Sequence, residues 1–242
     1  MDSADPARMA QTRERGLAVR IRDRSLGLVA FGCFLLALGG QVLTGWGAYN
    51  QEQRAHGEQV IGLAGYLGTG HFGEATLENW ESEFLQMAMF IFLTAFLVQK
   101  GSAESRKPDG EPGADEQAVD EPPEWHRSDP DAPWPVRRGG LALSVYKRSL
   151  SLVLFILFVL CFIGHASFGA TEFNQEARAH GGATVTLLGY MSNARFWFES
   201  FQNWQSEFLA VWAITVLSIW FRQQGSPESK PVHAPNQQTG SE

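Results

Sequence analysis

The sequence predicts an all-α integral membrane protein with four transmembrane helices, built as two tandem, parallel-oriented helical-hairpin repeats. Three observations lead to this fold class: four stretches lack charged side chains, the chain matches itself after a shift of 124 positions, and Lys and Arg are unevenly placed. The chain has 242 residues, of which 44% are hydrophobic, and a formal net charge of −7. An acidic chain without a basic face argues against nucleic-acid binding, and the long uncharged stretches argue against a soluble enzyme.

The four uncharged stretches differ in length. Residues 25–51 and 149–171 provide 27 and 23 residues without Asp, Glu, Lys or Arg, whereas residues 84–99 and 208–221 provide only 16 and 14. A helix needs about 20 residues, at a rise of about 1.5 Å each, to cross the hydrocarbon core of a bilayer. The first and third helices can therefore span a membrane as they stand, and the second and fourth must begin upstream of their uncharged stretches.

The chain is a tandem duplication. Positions 24–105 match positions 148–229 without a gap, with 33 identities in 82 positions. Each copy contains an apolar helix, a polar segment and a second apolar helix. The resulting organisation is a cytoplasmic N-terminal tail (1–23), a first two-helix repeat (24–105), a cytoplasmic Pro-rich acidic linker (106–147), a second two-helix repeat (148–229) and a cytoplasmic C-terminal tail (230–242).

The positions of Lys and Arg predict the orientation. Of the 19 such residues, 16 lie in the N-terminal segment, the central linker or the C-terminal tail, and the exceptions are Arg54, Arg178 and Arg195. Cytoplasmic loops carry the excess of positive charge, so both termini and the linker are expected in the cytoplasm. Because each repeat has two helices, the halves should be related by a pseudo-twofold axis along the membrane normal.

The segment from Gly101 to Gly140 is rich in Pro, Gly, Asp and Glu, and this composition predicts an extended or disordered chain. It contains Trp125 and Trp134, which are unusual in a free linker. One interpretation is anchoring at the membrane interface, helped by Arg137 and Arg138, and the other is docking onto a partner.

A doubled polar set on the outer side is the strongest candidate site. Asn79 and Glu83 are four positions apart and share one helix face. In one hypothesis the set is a structural clamp, in which Arg54 pairs with Glu83 and Arg178 with Glu207. In the other it is an ion or proton site, because carboxylates near membrane depth with histidine nearby are ingredients of proton relays. The set comprises Glu52, Arg54, His56, Asn79, Ser82 and Glu83, with their counterparts Glu176, Arg178, His180, Asn203, Ser206 and Glu207.

Aromatic side chains mark the expected interfaces. Trp80 and Trp204 precede the uncharged stretches, at a depth that tryptophan favours. Phe196 and Trp197 belong to an aromatic stretch that we interpret as a short helix lying on the outer membrane surface. A cofactor or lipid pocket is the alternative for this stretch.

The patterns typical of metal and catalytic sites are missing from the sequence. Neither His-x3-His nor Cys-x2-Cys spacing occurs, and no serine lies in a Gly-x-Ser-x-Gly turn. His165 replaces Gln41 of the first repeat, and we expect it to hydrogen-bond within the helix bundle. No catalytic residue, metal or cofactor is therefore predicted.

Two duplicated motifs carry a resemblance to a known family. They are Asn-Trp-x-Ser-Glu-Phe-Leu at 79–85 and 203–209, and Gly-Ser-x-Glu-Ser at 101–105 and 225–229. With these motifs the chain resembles a family of bacterial inner-membrane proteins known only as a domain of unknown function. The resemblance implies two helical hairpins in a bacterial inner membrane, and it implies no activity or catalytic residue.

The expected function is that of a multi-pass membrane protein without enzymatic activity, with a structural, adaptor or stress-related role. The alternative is a small transporter or channel that uses the outer Glu, Arg and His residues. An ion-coupled transporter is disfavoured because its charged site usually lies near the bilayer midplane, where this sequence has no charge. The expected partners are the lipid bilayer and either a second copy of the chain or another membrane protein, and not a nucleic acid.

Overall fold

A computed structural model describes residue 19, residues 21–108 and residues 127–240. Within these ranges the secondary structure consists of helices joined by turns, with no strand, so the all-α prediction is confirmed. The chain forms two compact units, Met1–Phe72 and Gly73–Glu242. The acidic part of the linker, including Trp125, and the arginine-rich N-terminal segment lie outside the described residues.

The first unit contains α1 (Ser25–Ala55) and the short α2 (Leu63–Tyr66). Asn50, near the end of α1, fixes the connection between them. Its Oδ1 accepts a hydrogen bond from the backbone N–H of Ile61 at 2.9 Å, and its Nδ2 donates to the carbonyl of the same residue at 2.9 Å. This side chain thus replaces a pair of backbone hydrogen bonds and holds the segment after α1 against the helix end.

The second unit holds most of α3 and all later helices. Their bounds are α3 (Gly70–Thr94), α4 (Trp134–Arg138), α5 (Gly140–Tyr146), α6 (Ser149–Ala179), α7 (Leu187–Met191) and α8 (Ala194–Leu217). As predicted, α3 and α8 begin well upstream of their uncharged stretches.

Equivalent positions adopt equivalent local structures in the two copies of the repeat. Helix α6 begins and ends 124 positions after α1. Asn174 repeats the contacts of Asn50, because its Oδ1 accepts from the N–H of Val185 at 2.7 Å and its Nδ2 donates to the carbonyl of Val185 at 2.9 Å. The identities between the copies therefore include residues that fix the turn after the first helix.

Two helices, α1 and α6, are long and apolar enough to cross a membrane. Each has 31 residues, and their most apolar windows have mean hydropathies of 2.1 and 2.4. None of the window in α1 and 22% of the window in α6 is buried, whereas the core helix of a soluble protein would be mostly buried. An exposed apolar surface of this length is what a lipid environment covers.

The linker prediction is wrong at the ends that the structure describes. Trp134–Arg138 form α4, whose N-terminus has Pro135 in the first turn, and the guanidinium of Arg138 lies 5.1 Å from the centre of the Trp134 ring. A proline in the first turn leaves no extra backbone donor unsatisfied, so this Pro-rich sequence can begin a helix. Residues 101–105 are ordered by contacts with the C-terminal tail.

The two Gly-Ser-x-Glu-Ser motifs, which we call the GSxES loops (residues 101–105 and 225–229), have the same conformation. Gly101 and Gly225 have φ values of +84° and +81°, in the region that side chains disfavour. Ser105 Oγ accepts from the N–H of Gln99 at 2.8 Å, as does Ser229 Oγ from Gln223 at 2.8 Å. The motif is therefore a turn after each second helix, several residues beyond the helix end.

Lys230 attaches the C-terminal tail to the first GSxES loop. It is 1% exposed, and its ammonium group donates to the carbonyl of Gly101 at 2.5 Å. Further carbonyl acceptors are those of Asn236 and Gln238 at 3.0 Å and Ile219 at 3.2 Å. Burial and the nearby Arg222 lower the pKa of Lys230, and the ring of carbonyl dipoles supplies the solvation that water would otherwise give.

Candidate functional site

A buried polar cluster lies inside the second unit, among α3, α6, α7 and α8. We call it the Glu–His–Tyr cluster, and it consists of Glu74 and Glu81 on α3, His165 on α6, Tyr190 on α7 and Glu199 on α8. Except for the partly buried Glu199, these residues are 7% exposed or less. Ionisable groups at this degree of burial are rare unless they are paired or bind a ligand.

His165 is the centre of the cluster. Its Nδ1 lies 2.9 Å from Oε2 of Glu81, a short hydrogen bond between two fully buried side chains. Its Nε2 lies 3.5 Å from Oε2 of Glu199, at the outer limit of a hydrogen bond. The expectation that His165 hydrogen-bonds within the helix bundle is therefore confirmed.

Glu81 is held from both sides. One carboxylate oxygen contacts His165, and the other accepts a hydrogen bond from Nε1 of Trp204 at 3.0 Å. Because the indole N–H can only donate, Glu81 acts as an acceptor towards α8. When Glu81 is ionised, Nδ1 of His165 is the nitrogen that donates to it, and Nε2 faces Glu199.

The hydroxyl of Tyr190 lies between two carboxyl groups. It is 2.9 Å from Oε1 of Glu74 and 2.8 Å from Oε2 of Glu199. A phenol has one proton to donate, so it cannot satisfy two ionised carboxylates in this way at the same time. Burial, together with these carboxylates, raises the pKa of Tyr190 and keeps its proton on the oxygen. The two carboxylates therefore need a further proton or a cation between them.

Arg195 is the one fixed positive charge close to the cluster among the described residues. Its Nε donates to Oε1 of Glu199 at 2.9 Å, and its NH1 donates to Oε2 of Glu176 at 2.7 Å. Glu78 adds a further negative charge, since it interacts electrostatically with His165 and Glu199. Carboxylates thus outnumber guanidinium groups in and around the cluster.

Close packing surrounds the polar atoms. A Cβ atom at Gly169 would lie 2.6 Å from the Tyr190 hydroxyl and 2.7 Å from Oε1 of Glu74, so only glycine leaves room for these groups. The ring of Phe196 is fully buried, and its centroid lies 4.9 Å from that of His165. The cluster is therefore enclosed by aromatic side chains, which lowers the local dielectric and strengthens its electrostatic interactions.

Half of the predicted polar set lies at the ends of two helices. Glu52, Arg54 and His56 lie in the last turn of α1 or at its cap, and Glu176, Arg178 and His180 lie in the same places on α6. The Nδ1 atoms of His56 and His180 contact the carbonyls of Glu52 and Glu176 at 3.0 and 2.9 Å. These histidines therefore interact with the helix that they terminate.

The asparagine and serine residues of the set also bond to their own helices. Asn79 donates to the carbonyl of Ala75 at 2.7 Å, and Ser82 donates to that of Asn79 at 2.8 Å. On α8, Asn203 donates to the carbonyl of Glu199 at 3.2 Å, and Ser206 donates to that of Asn203 at 2.8 Å.

Two carboxylates of the set, Glu83 and Glu207, are near enough to repel each other electrostatically. Within the described residues of the second unit, the ion pairs do not include Arg178 with Glu207. Glu176 is instead paired with Arg195. The clamp hypothesis thus has no direct pair in the second repeat.

The aromatic residues divide into two groups. Phe196 belongs to the core and not to a membrane interface, because α8 is continuous from Ala194 and turns this ring inwards. The short interfacial helix predicted here is therefore wrong. Trp197 is 38% exposed, Trp80 is half-buried, and Trp204 is the half-buried donor to Glu81.

Sequence reasoning missed most of the Glu–His–Tyr cluster. Its members are separated widely along the chain, and no short motif contains them. One signal was present: at these positions the repeats differ, with Gln41 opposite His165, Ala75 opposite Glu199 and Phe198 opposite Glu74. Polar residues whose equivalent in the other copy differs, and which face the helix bundle, are candidates for a specialised site.

The fold and the cluster define a class: an all-helical protein with two helices long and apolar enough to span a membrane and a buried ionisable centre. The family model for a domain of unknown function (DUF6766) matches residues 18–241, and the chain belongs to this family. No curated protein and no solved structure matches the chain.

Proposed function

We propose that this chain is a multi-pass protein of the bacterial inner membrane, with four spanning helices in two tandem hairpins and both termini and the linker in the cytoplasm. It acts without enzymatic chemistry, as a structural or adaptor protein whose second hairpin is fixed internally by the Glu–His–Tyr cluster. The chain offers lipids a broad apolar surface, and a second copy or another membrane protein is its proposed partner.

The observation that carries this proposal is the exposed apolar surface of α1 and α6. Leu26 and Leu36 on α1 are 83% and 79% exposed, and Leu150 and Leu160 on α6 are 61% and 60% exposed. Burying apolar surface contributes about 25 cal/mol per Å², so leaving two such helices in water would be strongly unfavourable. A bilayer removes this cost.

Helices α3 and α8 supply the other two spans. They have 25 and 24 residues, which at about 1.5 Å per residue exceeds a 30 Å hydrocarbon core. Towards its C-terminal end α8 exposes Leu209, Trp212 and Leu217 by 59%, 61% and 48%. Its N-terminal half turns Arg195 and Glu199 into the second unit and exposes Phe198 and Phe201 by 67% and 56%.

The structural role is supported by how the cluster connects helices. His165 on α6 contacts Glu81 on α3, and Trp204 on α8 donates to the same Glu81. Three helices are thus joined through one carboxylate. Buried networks of this kind specify one arrangement of helices when all members are satisfied.

Topology mapping tests the membrane assignment. Reporters fused at residue 1, near Glu111 and after Glu242 should all be cytoplasmic, and reporters near Glu58 and Gly182 should be periplasmic. Cysteine labelling with a membrane-impermeant maleimide gives an independent readout at the same positions. A periplasmic reporter at Glu111 contradicts the two-hairpin topology, and extraction of the protein by carbonate contradicts membrane insertion.

Transport is the second candidate, and the proximity of Glu83 and Glu207 favours it. These carboxylates occupy equivalent positions in the two repeats, and like charges that repel each other can share a cation or a proton. Proteoliposomes with an internal pH dye test it. A pH-dependent flux that both Glu83→Gln and Glu207→Gln abolish would favour transport, and the absence of flux in the wild type would leave the structural role.

A further inference from the structure

We propose that Glu74, His165 and Glu199 form a binding site for one divalent first-row transition-metal ion, of which Zn²⁺ is the representative. The ligands come from α3, α6 and α8, and the site lies inside the Glu–His–Tyr cluster. The inference goes beyond the proposed structural function, because it assigns a ligand to the cluster.

The three ligand atoms are spaced closely enough to surround one metal ion. One oxygen of each carboxylate and a nitrogen of His165 all lie within 4.8 Å of one another. In a tetrahedral site with bonds of about 2.0–2.1 Å, neighbouring ligand atoms are about 3.4 Å apart. The separation between His165 Nε2 and Glu199 Oε2 is 3.5 Å, which is long for a hydrogen bond and close to that value.

His165 is oriented as a metal-bound histidine would be. Metal-bound histidines typically donate their other ring N–H to a carboxylate, which fixes the tautomer and directs the lone pair to the metal. Glu81 lies 2.9 Å from Nδ1 of His165 and can receive its N–H, and Trp204 holds Glu81 in place from the opposite side. Glu81 and Trp204 therefore hold the ring in the orientation that a metal ligand requires.

The negative charge of the cluster also favours a bound cation. The hydroxyl of Tyr190 contacts Glu74 and Glu199 but can donate to only one of them, and Arg195 neutralises only part of the surrounding negative charge. A divalent cation between the two carboxylates supplies the missing positive charge and removes the conflict. Tyr190 or a water molecule could then complete the coordination.

The donor set selects the class of metal. An imidazole nitrogen with two carboxylates suits Zn²⁺, Mn²⁺ or Fe²⁺, whereas Ca²⁺ and Mg²⁺ prefer oxygen ligands alone. At the positions equivalent to His165, Glu199 and Glu74, the other copy has Gln41, Ala75 and Phe198. The repeat therefore does not provide a second set of ligands. One metal ion per chain is expected.

Metal binding can be measured directly on the full chain. The protein is purified in detergent without a histidine tag, treated with EDTA and titrated with Zn²⁺ by calorimetry in the presence of a competing chelator. We expect one Zn²⁺ per chain and, with Co²⁺ as a probe, the visible absorption bands of a low-symmetry site. His165→Gln, which introduces the residue of the first repeat, should lower the affinity at least 100-fold.

Two further variants make the test specific. Glu81→Gln leaves the three ligands intact but weakens the orientation of His165, so it should lower the affinity about 10–100-fold. Asp131→Asn, which removes an exposed carboxylate outside the cluster, is the matched control and should bind as the wild type does. If the wild type binds Zn²⁺ no more tightly than His165→Gln, or if Co²⁺ gives no visible bands, the missing charge is a proton and the metal site is refuted. The Co²⁺ spectrum of the wild type decides the question even if a variant does not fold.

Discussion

The Nδ1 atom of His165 and the Oε2 atom of Glu81 lie 2.9 Å apart, and both side chains are completely buried. This contact joins α6 to α3 across 84 positions of sequence. Each group would be strongly unfavourable in the helix bundle without the other, because an unpaired buried ionisable group loses its hydration without compensation. The stability of the second unit should therefore depend on the pair.

A double-mutant cycle measures this dependence in metal-free protein. Glu81→Gln and His165→Gln should each lower the free energy of unfolding, and the double variant should lose less than the sum. The expected coupling energy is about 1–3 kcal/mol, since the contact is buried. Unfolding in mixed micelles, followed by tryptophan fluorescence, provides the values, and additive effects would contradict a direct interaction.

Gly169→Ala should destabilise the second unit by about 1–3 kcal/mol. The new Cβ would lie 2.6 Å from the Tyr190 hydroxyl and 2.7 Å from Oε1 of Glu74, so one of them must move. Gly40→Ala is the control, because no atom lies within 4 Å of the Cβ position there. It should be neutral or slightly stabilising, as alanine favours helix formation. Equal effects of the two substitutions would show that the close packing at Gly169 is unimportant.

Glu207→Gln distinguishes the clamp hypothesis, in which Glu207 pairs with Arg178, from an arrangement in which Glu207 is repelled by Glu83. In a clamp with Arg178 the substitution should destabilise the protein. Because Glu83 repels Glu207 and no ion pair with Arg178 is found in the described part of the second unit, we expect a neutral effect or a stabilisation of about 0.2–0.5 kcal/mol. Chemical unfolding of the variant and the wild type at low salt gives the sign, and a clear loss of stability would restore the clamp.

The stability of the protein should depend on pH through Glu104. Burial and the neighbouring Glu228 raise the pKa of Glu104 from 4.5 to about 7. Folding therefore favours the protonated carboxyl. The contribution is fully present below about pH 4.5, decreases as the pH rises through the window up to about 7, and is lost above it.

Glu104→Gln removes this dependence, so melting temperatures of the variant and the wild type should converge at low pH and diverge towards pH 7, where the variant is more stable. Glu58→Gln, an exposed carboxylate, is the control and should follow the wild type. Parallel curves for Glu104→Gln and the wild type would contradict the assignment.

Lys230→Met should release the C-terminal tail. The substitution leaves the carbonyls of Gly101, Asn236 and Gln238 without their charged donor, which should cost about 1.5–3 kcal/mol locally. Proteinase K digestion should then remove the tail faster, and the amide of Gly240, which donates to the Ser102 carbonyl at 2.9 Å, should exchange faster. The exposed Lys147→Met is the control, and equal digestion of both variants would argue against a docked tail.

The helices could be predicted from the sequence because their signal is local. Uncharged stretches mark α1 and α6 by length alone, and the repeat extends the inference to α3 and α8. The shortness of the second and fourth stretches was enough to predict that these helices begin upstream. Composition predicted an extended or disordered chain at Trp134, but the Pro-rich segment begins a helix there.

The cluster could not be predicted because it depends on how helices face one another. Glu74 and Glu81 precede an uncharged stretch and resemble ordinary helix-surface residues, and only packing places them against His165. The same limit applies to Phe196, whose ring is buried while the next two residues, Trp197 and Phe198, are exposed. Burial of one face of a polar helix is a tertiary property.

The Lys230 contact with Gly101 bridges 129 positions, and this distance has a consequence for biogenesis. At about 5–20 residues per second, a ribosome needs on the order of 10 s to reach Lys230 after it has made Gly101. During this interval the loop after α3 has no lysine to hold it. Closure on the cytoplasmic side of the proposed topology thus follows synthesis of the second repeat, and a nascent chain that stalls within that repeat would expose this loop to quality-control proteases.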